Sequence, residues 1–360
     1  MRALAFHLPQ FHPVPENDQW WGPGFTEWTN VAAARPVFRG HYQPHLPADL
    51  GFYDLRLPEV RAAQAALAAA HGIHGFLYYH YWFGGRRILE RPVNDILASG
   101  EPEFPFALCW ANENWTRRWD GKDSEVLLPE QYGEEDDRHH LEWLATAFAD
   151  PRYIRVNGKP LFAVYRAMRL PDPRRTTDIW RERAHQLGVG ELYLCRVEAH
   201  ADERGDPGPL GFDAAIEFQP DWVALGEPER QSRWWSYART FGLVDRLYQR
   251  HRIFEYRRLV PRMLRKPAVA YKRFPCVTPG WDNTPRKPAD SWIIRGSSPR
   301  QYRRWLRVVL ERFAPFGPGE DLVFINAWNE WAEGAHLEPD RKFGRAYLEA
   351  TRRAIEQAGG

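Results

Sequence analysis

Short apolar runs rich in β-forming residues alternate along this chain with segments of helical periodicity. The β-type runs are Arg2–His7, Ile73–Tyr81, Phe106–Trp110, Leu161–Tyr165, Leu192–Val197, Ala214–Phe218, Cys276–Pro279 and Leu322–Ala327. The helical segments are Leu57–His71, Pro92–Ala98, Glu134–Ala149, Arg174–Leu187, Arg300–Phe313 and Gly344–Gln357. This alternation predicts an α/β fold with a parallel sheet, and eight strands favour closure into a (β/α)8 TIM barrel. The alternative is an open doubly wound sheet, but the first strand lacks the Gly-rich phosphate fingerprint of that fold.

Two connections are longer than simple βα loops and therefore point to function. The first runs from Leu8 to Arg56 and is rich in Pro, Gly and Trp. The second, residues 221–275, is a basic insertion after the sixth strand, with 13 Lys/Arg against four Asp/Glu between Leu225 and Arg273. Its Val244–Arg265 part is compatible with one or two basic helices. We expect one catalytic domain over residues 1–360, with this insertion either supporting the barrel or forming a cradle for an anionic ligand or membrane surface.

The composition adds one positive signal and several exclusions. The 17 Trp residues and the 14% aromatic content suggest rings that stack on sugars, although a large aromatic core would also use them. A formal charge of +2 gives no reason to expect a nucleic-acid partner. No apolar stretch approaches the roughly 20 residues of a transmembrane helix, and no segment resembles a signal peptide, so we expect a cytoplasmic protein.

In a parallel barrel, the side chains at the carboxyl ends of the strands share one pocket. Amides and carboxylates there can bind hydroxyl groups, Trp can stack on sugar rings, and two carboxyls can supply acid–base catalysis. The residues expected to bind substrate around this pocket are His7, Gln10, Trp28, His80, Tyr81, Trp110, Asn112, Glu113, Trp115, Tyr165, Glu198, Glu217, Trp281, Asn329 and His336. Among them, Trp110, Trp115 and Trp281 are predicted to border one cleft with Glu330.

The segment 326–334 carries the sharpest chemical signal. Glu330 and Glu333 are three residues apart, so a turn after the last strand would bring both carboxyls to one face. We therefore expect these two residues to be catalytic, although one of them could instead be a surface acid. Glu113 is a third candidate, with a structural pairing to Arg117 or Arg118 as the alternative. The 13 His residues show no metal-binding spacing, and we expect neither a metal nor another cofactor.

Several long motifs resemble those of WbsX-type proteins from bacterial polysaccharide gene clusters. They include Leu8-Pro9-Gln10-Phe11-His12, Glu27-Trp28-Thr29-Asn30, Gly40-His41-Tyr42-Gln43-Pro44, Tyr79-His80-Tyr81-Trp82-Phe83, Cys109-Trp110-Ala111-Asn112-Glu113-Asn114-Trp115 and Asn329-Glu330-Trp331-Ala332-Glu333-Gly334. WbsX-type proteins have been labelled glycosyltransferases, yet they are similar to glycoside hydrolase family 99. That family has His where this chain has Ala332, a departure that bears on substrate more than on chemistry.

The resemblance implies a retaining hydrolase of α-mannose- or α-rhamnose-type polysaccharide. It implies that Glu330 deprotonates the sugar 2-hydroxyl, which attacks its own anomeric carbon, and that Glu333 acts as acid and then base. In that scheme Glu330 should stay ionised at neutral pH and Glu333 should hold a proton. The alternatives are a glycosyltransferase or transglycosylase of surface-polysaccharide synthesis and a non-catalytic glycan-binding barrel.

Overall fold

Parallel strands form a nearly closed barrel at the centre of this protein. The computed structural model describes residues 1–117, 122–228, 250–287 and 289–359. The barrel strands are β1 (Arg2–His7), β2 (Ile73–Phe83), β3 (Phe106–Trp110), β4 (Lys159–Val164), β5 (Tyr193–Glu198), β6 (Ala214–Glu217), β7 (Arg273–Phe274), β8 (Cys276–Val277) and β9 (Leu322–Ile325). Their order around the barrel is β7-β6-β5-β4-β3-β2-β1-β9-β8, with every neighbouring pair parallel. The predicted α/β barrel is confirmed.

The barrel closes through a strand that is interrupted at Pro275. Strand β7 pairs with β6, whereas β8 pairs with β9 on the other side. The carbonyl of Pro275 still accepts a hydrogen bond from the Phe324 amide at 2.8 Å. Because proline has no N–H to donate, the ladder breaks there. The predicted strand Cys276–Pro279 corresponds to β8, and β7, which precedes Pro275, was not predicted.

Helices surround the barrel. They are α1 (Pro15–Trp21), α2 (Glu27–Ala33), α3 (Pro58–Ala69), α4 (Arg91–Ser99), α5 (Glu134–Phe148), α6 (Pro173–Gln186), α7 (Tyr256–Leu264), α8 (Pro299–Arg312) and α9 (Ala346–Gly359). Their starts follow helix chemistry: α3, α4, α6 and α8 have proline in the first turn, and the side chains of Asp172 and Ser298 cap α6 and α8. Within the described ranges, every helix is too short or too polar to cross a bilayer.

Side-chain direction alternates along each barrel strand, which decides what can reach the pocket. Phe6 of β1 points inward, where its ring meets those of Tyr79, Phe218 and Phe324 at centroid distances of 5.6–6.0 Å. His7, the next residue, points outward and lies 3.3 Å from the amide oxygen of Gln64 in α3. The barrel interior is therefore a packed aromatic core rather than a channel.

Both long connections form structure at the carboxyl end of the barrel. The first contains α1 and α2, and α2 packs against the turn that follows Glu330. In the second, the strand Arg252–Glu255 pairs in parallel with Trp292–Arg295 and leads into α7. One or two basic helices were predicted over Val244–Arg265, and α7 occupies the last part of that range. Residues 229–249 lie outside the described ranges. Contact of this insertion with an anionic glycan or a membrane stays a prediction.

The remaining strands are short and lie outside the barrel. They are Arg86–Ile88, Trp115–Arg117, Lys122–Leu128, Arg155–Val156, Trp281–Asp282, Asn329–Glu330 and Ala335–His336. Most form antiparallel hairpins next to the barrel rim.

Candidate active site

A cavity of about 360 Å³ opens at the carboxyl ends of the strands. Eight of the residues expected from the sequence line it: Gln10, Tyr81, Glu113, Trp115, Tyr165, Trp281, Glu330 and Glu333. Residues that the sequence did not single out for this pocket also line it, among them Tyr79, His200, Trp222, Arg286, Lys287 and Trp292. The wall therefore combines aromatic rings with hydrogen-bonding groups and three acids.

The two glutamates reach one cavity because the chain turns between them. Asn329–Glu330 forms a short strand that pairs with Ala335–His336, and a 3-10 turn over Trp331–Glu333 joins the two. Gly334 ends this turn in the left-handed region, at φ 61°. A Cβ at Gly334 would also lie 3.0 Å from the Asp282 backbone nitrogen, so both conformation and space favour glycine there.

Arg286 forms hydrogen bonds with both glutamates and with a third glutamate, Glu27. An Arg286 Nη2 donates to Glu330 Oε2 at 2.9 Å and to Glu27 Oε1 at 2.6 Å. Its Nη1 donates to Glu333 Oε1. Glu27 is fully buried at the start of α2, whereas 20% of the Glu333 side chain is exposed. Three carboxyls around one guanidinium leave an excess of negative charge if all are ionised.

This crowding controls protonation. Burial, opposed by Arg286 and reinforced by Glu333 and Glu27, raises the pKa of Glu330 to about 8. Burial also raises the pKa of Glu27. Burial by itself lowers the pKa of Arg286, but the surrounding carboxylates raise it above its usual value. The sequence expectation was a Glu330 that stays ionised at neutral pH; the structure opposes it, because burial favours the neutral carboxyl more strongly than the single cation Arg286 favours the charged form.

Aromatic rings build one side of the cavity. Trp222 makes edge contacts with Trp281 and Trp292, at centroid distances of 4.9 and 5.0 Å. Trp115 meets Tyr81 edge-on at 5.2 Å. Trp115 and Trp281 therefore border the cavity that contains Glu330, as the sequence suggested.

Trp110 does not border it, and neither do His7 and His80. Trp110 is fully buried among the outer helices, with its ring 5.9 Å from that of Trp180 in α6. The His80 Nε2 lies 3.0 Å from the His140 Nε2 in α5. All three occupy strand positions that point away from the barrel axis, while Tyr79 and Tyr81, on either side of His80, point into the cavity.

Glu198 and Glu217 are opposite each other in the β5–β6 register and also point outward. Glu198 accepts a hydrogen bond from the Tyr271 hydroxyl at 2.6 Å, and Glu217 pairs with Lys266. These acids anchor the returning end of the basic insertion and do not line the cavity.

Three more predicted residues serve the loops instead. The Asn112 side chain bonds both the N–H and the carbonyl of Arg166, each at 2.8 Å. Asn329 bonds the backbone of Leu8 in the same bidentate way, at 2.7 and 3.0 Å. Trp28 packs on Trp331 beneath the catalytic turn, with ring centroids 5.5 Å apart.

Glu113 lines the cavity and is held by an arginine. The guanidinium of Arg166 donates to Glu113 at 3.1 Å and also pairs with Asp202 and Glu203. Glu113 is thus paired with Arg166, while Arg118 and the side chain of Arg117, the partners considered from the sequence, lie outside the described part of the chain.

His336 lines a second cavity, of about 570 Å³, which shares Trp281 with the first. In its wall, donor atoms of His45, His336 and Asp340 lie within 4.8 Å of one another. Among the residues that the structure describes, this is the group with the composition and proximity of a metal site.

The sequence missed Arg286, the central cation of the site. It lies in an aperiodic loop after β8, and nothing in its neighbours marks it. Glu27 did carry a signal, since it belongs to one of the WbsX-type motifs, but its burial beside Arg286 depends on how α2 packs. Ala332, at the position where the sequence departs from family 99, is fully buried and does not line the cavity.

Comparison with known proteins identifies a family. The family model described as Glycosyltransferase WbsX matches residues 3–351. Two relatives, both described as uncharacterized protein WxcX, come from Xanthomonas campestris pv. campestris strains B100 and ATCC 33913 and are 46% and 45% identical over 356 residues. Each match covers 99% of this chain and 50% of the relative, so the chain spans about half the length of these proteins.

Solved structures share the fold at low sequence identity. A glycoside hydrolase-like protein matches with a TM-score of 0.61 and 16% identity, over 98% of this chain and 93% of that one. The GH99 endo-alpha-mannosidase from Bacteroides thetaiotaomicron, in complex with Bis-Tris-propane, matches with a TM-score of 0.58 and 14% identity, over 99% and 97%. At these identities the likeness establishes the barrel fold.

Proposed function

Since this chain belongs to the WbsX family, we propose that it acts on carbohydrate, as a retaining glycoside hydrolase. The model of that family is described as a glycosyltransferase, and the barrel of this chain brings two glutamates into one aromatic cavity. The observation that carries this proposal is the shared cavity of Glu330 and Glu333, bridged by Arg286. Two carboxyls beside a sugar-sized space with aromatic walls are the equipment of glycosidic cleavage.

In the first step, the Glu330 carboxylate removes the proton from the 2-hydroxyl of the bound sugar. The freed oxygen attacks the anomeric carbon while the glycosidic bond breaks, and Glu333 gives its proton to the leaving oxygen. The product is a 1,2-anhydro sugar and a released alcohol. In the second step, Glu333 removes a proton from water, the water oxygen attacks the anomeric carbon as the bond from that carbon to O2 breaks, and Glu330 returns its proton to O2. Two inversions give net retention.

The raised pKa of Glu330 supports its assignment as the base. A carboxylate with a pKa near 8 is a stronger base than an ordinary one, and catalysis is most efficient when the pKa lies near the working pH. Its ionised fraction is small at neutral pH, but Arg286 stabilises that form at 2.9 Å. The guanidinium thus permits ionisation while burial keeps the basicity high.

The chemistry restricts the substrate. The 2-hydroxyl can displace the leaving group only when the two are trans, which α-mannosides and α-rhamnosides satisfy and α-glucosides do not. We therefore propose an α-mannose- or α-rhamnose-type bacterial polysaccharide as the substrate class. Trp115, Trp281 and Tyr81 supply apolar faces for the sugar rings.

The second candidate function is glycosyl transfer, which the description of the family favours. In that case a sugar hydroxyl replaces water in the second step and the same glutamates act. Incubation with defined α-mannosyl and α-rhamnosyl oligosaccharides separates the two functions. Water-dependent shortening supports hydrolysis, whereas products longer than the substrate, or dependence on a nucleotide sugar, support transfer. Binding without any turnover would contradict both.

A further inference from the structure

Two histidines and an aspartate converge in the wall of the second cavity, away from the glutamates. His45 belongs to the long loop after β1, and His336 and Asp340 follow the catalytic turn. The His45 Nδ1 and the His336 Nε2 are 2.9 Å apart although the residues are 291 positions apart in the chain. With the Asp340 carboxylate, all three donor atoms lie within 4.8 Å of one another.

The orientation of His336 leaves a lone pair for this group. Its Nδ1 lies 3.1 Å from the Glu338 carbonyl, which can only accept, so Nδ1 carries the proton and Nε2 does not. The ring stacks on Trp331 at 3.8 Å and 13°, which prevents rotation. A histidine fixed by a backbone carbonyl in this way has the arrangement seen in metal-binding histidines.

Asp340 is also held from behind. One carboxylate oxygen accepts the backbone N–H groups of Lys342 and Phe343 at 3.0 and 2.5 Å. The other oxygen has the Tyr42 hydroxyl at 3.4 Å as its partner, a long contact that an ion could replace. Asp340 is 4% exposed, and a buried carboxylate gains stability by coordinating a metal ion.

We propose that His45, His336 and Asp340 bind a divalent transition-metal ion. Two imidazoles and one carboxylate suit Zn²⁺ and its neighbours, whose bonds to nitrogen are about 2.0–2.1 Å long. Binding requires that the proton of His45 moves to Nε2, that the two nitrogens, now 2.9 Å apart, separate slightly and that the carboxylate moves closer to them. The remaining coordination positions face the second cavity, where water or oxygen atoms of a ligand can fill them.

The ion would join the loop after β1 to the loop after β9. It would lie beside Trp281, which separates the second cavity from the glutamates. Since the sites are distinct, metal binding can be tested without any substrate, and its outcome is independent of the proposed hydrolysis.

The test is titration of the tag-free, EDTA-treated full chain with ZnCl2 by calorimetry and with CoCl2 by visible absorption. We expect one equivalent of Zn²⁺ with a Kd of about 1 µM or tighter, and Co²⁺ d–d bands of a nitrogen- and oxygen-ligated ion. His45→Asn and Asp340→Asn should each weaken binding roughly 10- to 100-fold. Asparagine at 340 keeps an oxygen for the two backbone N–H groups, and circular dichroism checks the fold of each variant.

His139→Asn is the matched control, because His139 is 56% exposed on α5 and remote from the cluster. Its Zn²⁺ affinity should equal that of the parent protein. Absence of stoichiometric binding in the folded parent would overturn the proposal, and so would equal affinity in the parent and in a folded His45→Asn or Asp340→Asn variant. The two variants alter different loops, so a folding defect in one leaves the other informative.

Discussion

At the scale of single residues, the proposed chemistry depends on Glu330 and Glu333. Glu330→Gln and Glu333→Gln should each lower kcat/KM on a polysaccharide substrate by on the order of a hundredfold or more, because each removes one proton transfer. An aryl glycoside with a good leaving group should partly rescue Glu333→Gln, which lacks only the acid, but not Glu330→Gln. Steady-state kinetics with both substrates measures this difference. Full activity in either variant would refute the assignment of the site.

The raised pKa of Glu330 gives a second residue-level prediction. A base must be ionised, so kcat/KM on an activated aryl α-mannoside should rise about tenfold per pH unit and level off above about pH 8. Arg286→Met should move this limb to higher pH, since Arg286 lowers the pKa of Glu330. A rate that falls as the pH passes through 8 would instead identify Glu330 as the acid.

Two tryptophans test the aromatic wall. Trp281→Phe should raise KM on the order of threefold to tenfold with a smaller change in kcat, as expected when a uniform binding contact is lost. Trp110→Phe is the control, because Trp110 is fully buried behind the barrel and should affect thermal stability without altering KM. An unchanged KM for Trp281→Phe would show that this ring does not bind the sugar.

At the scale of elements, the site depends on how the loop after β1 is tied to the last strand. Asn329 bonds Leu8 twice and the Tyr53 hydroxyl at 3.2 Å, entirely within the core. Asn329→Ala leaves these buried groups unpaired and should lower the free energy of unfolding by about 2–4 kcal/mol in urea titration.

The exposed Asn94 makes a single bond to Arg87, so Asn94→Ala should change stability by less than about 0.5 kcal/mol. Equal losses for the two variants would mean that the Asn329 contacts contribute nothing beyond those of a surface amide.

At the scale of the whole molecule, the proposed hydrolysis can be tested through the stereochemistry of its product. The anhydro-sugar scheme predicts that the first product formed has the α configuration, which 1H NMR detects before mutarotation. In H2¹⁸O the label should enter the anomeric position of the product. Initial formation of the β anomer, or a glycosyl group trapped on either glutamate, would contradict the scheme.

The sequence by itself determined the elements and the carboxylates. Both ends of each predicted barrel strand lie within two residues of the ends of an observed strand. This is so because the period-two pattern of strands and the period-3.6 pattern of helices are local properties of the sequence. The spacing of Glu330 and Glu333 was also sufficient to place both carboxyls at one pocket, since a short turn and a glycine are encoded next to them.

Tertiary structure decided which way the neighbouring side chains point and what surrounds the acids. The sequence located the strand ends to within two residues, but a shift of one residue exchanges the inward and outward faces of a strand. For this reason His80 and Trp110, which were expected to line the pocket, point away from it, whereas Tyr79 lines it. Arg286 meets Glu27 across 259 positions of the chain and His45 meets His336 across 291. Such contacts form when distant loops pack together over the barrel rim, so no local sequence pattern predicts them. The raised pKa of Glu330 is a consequence of the same packing.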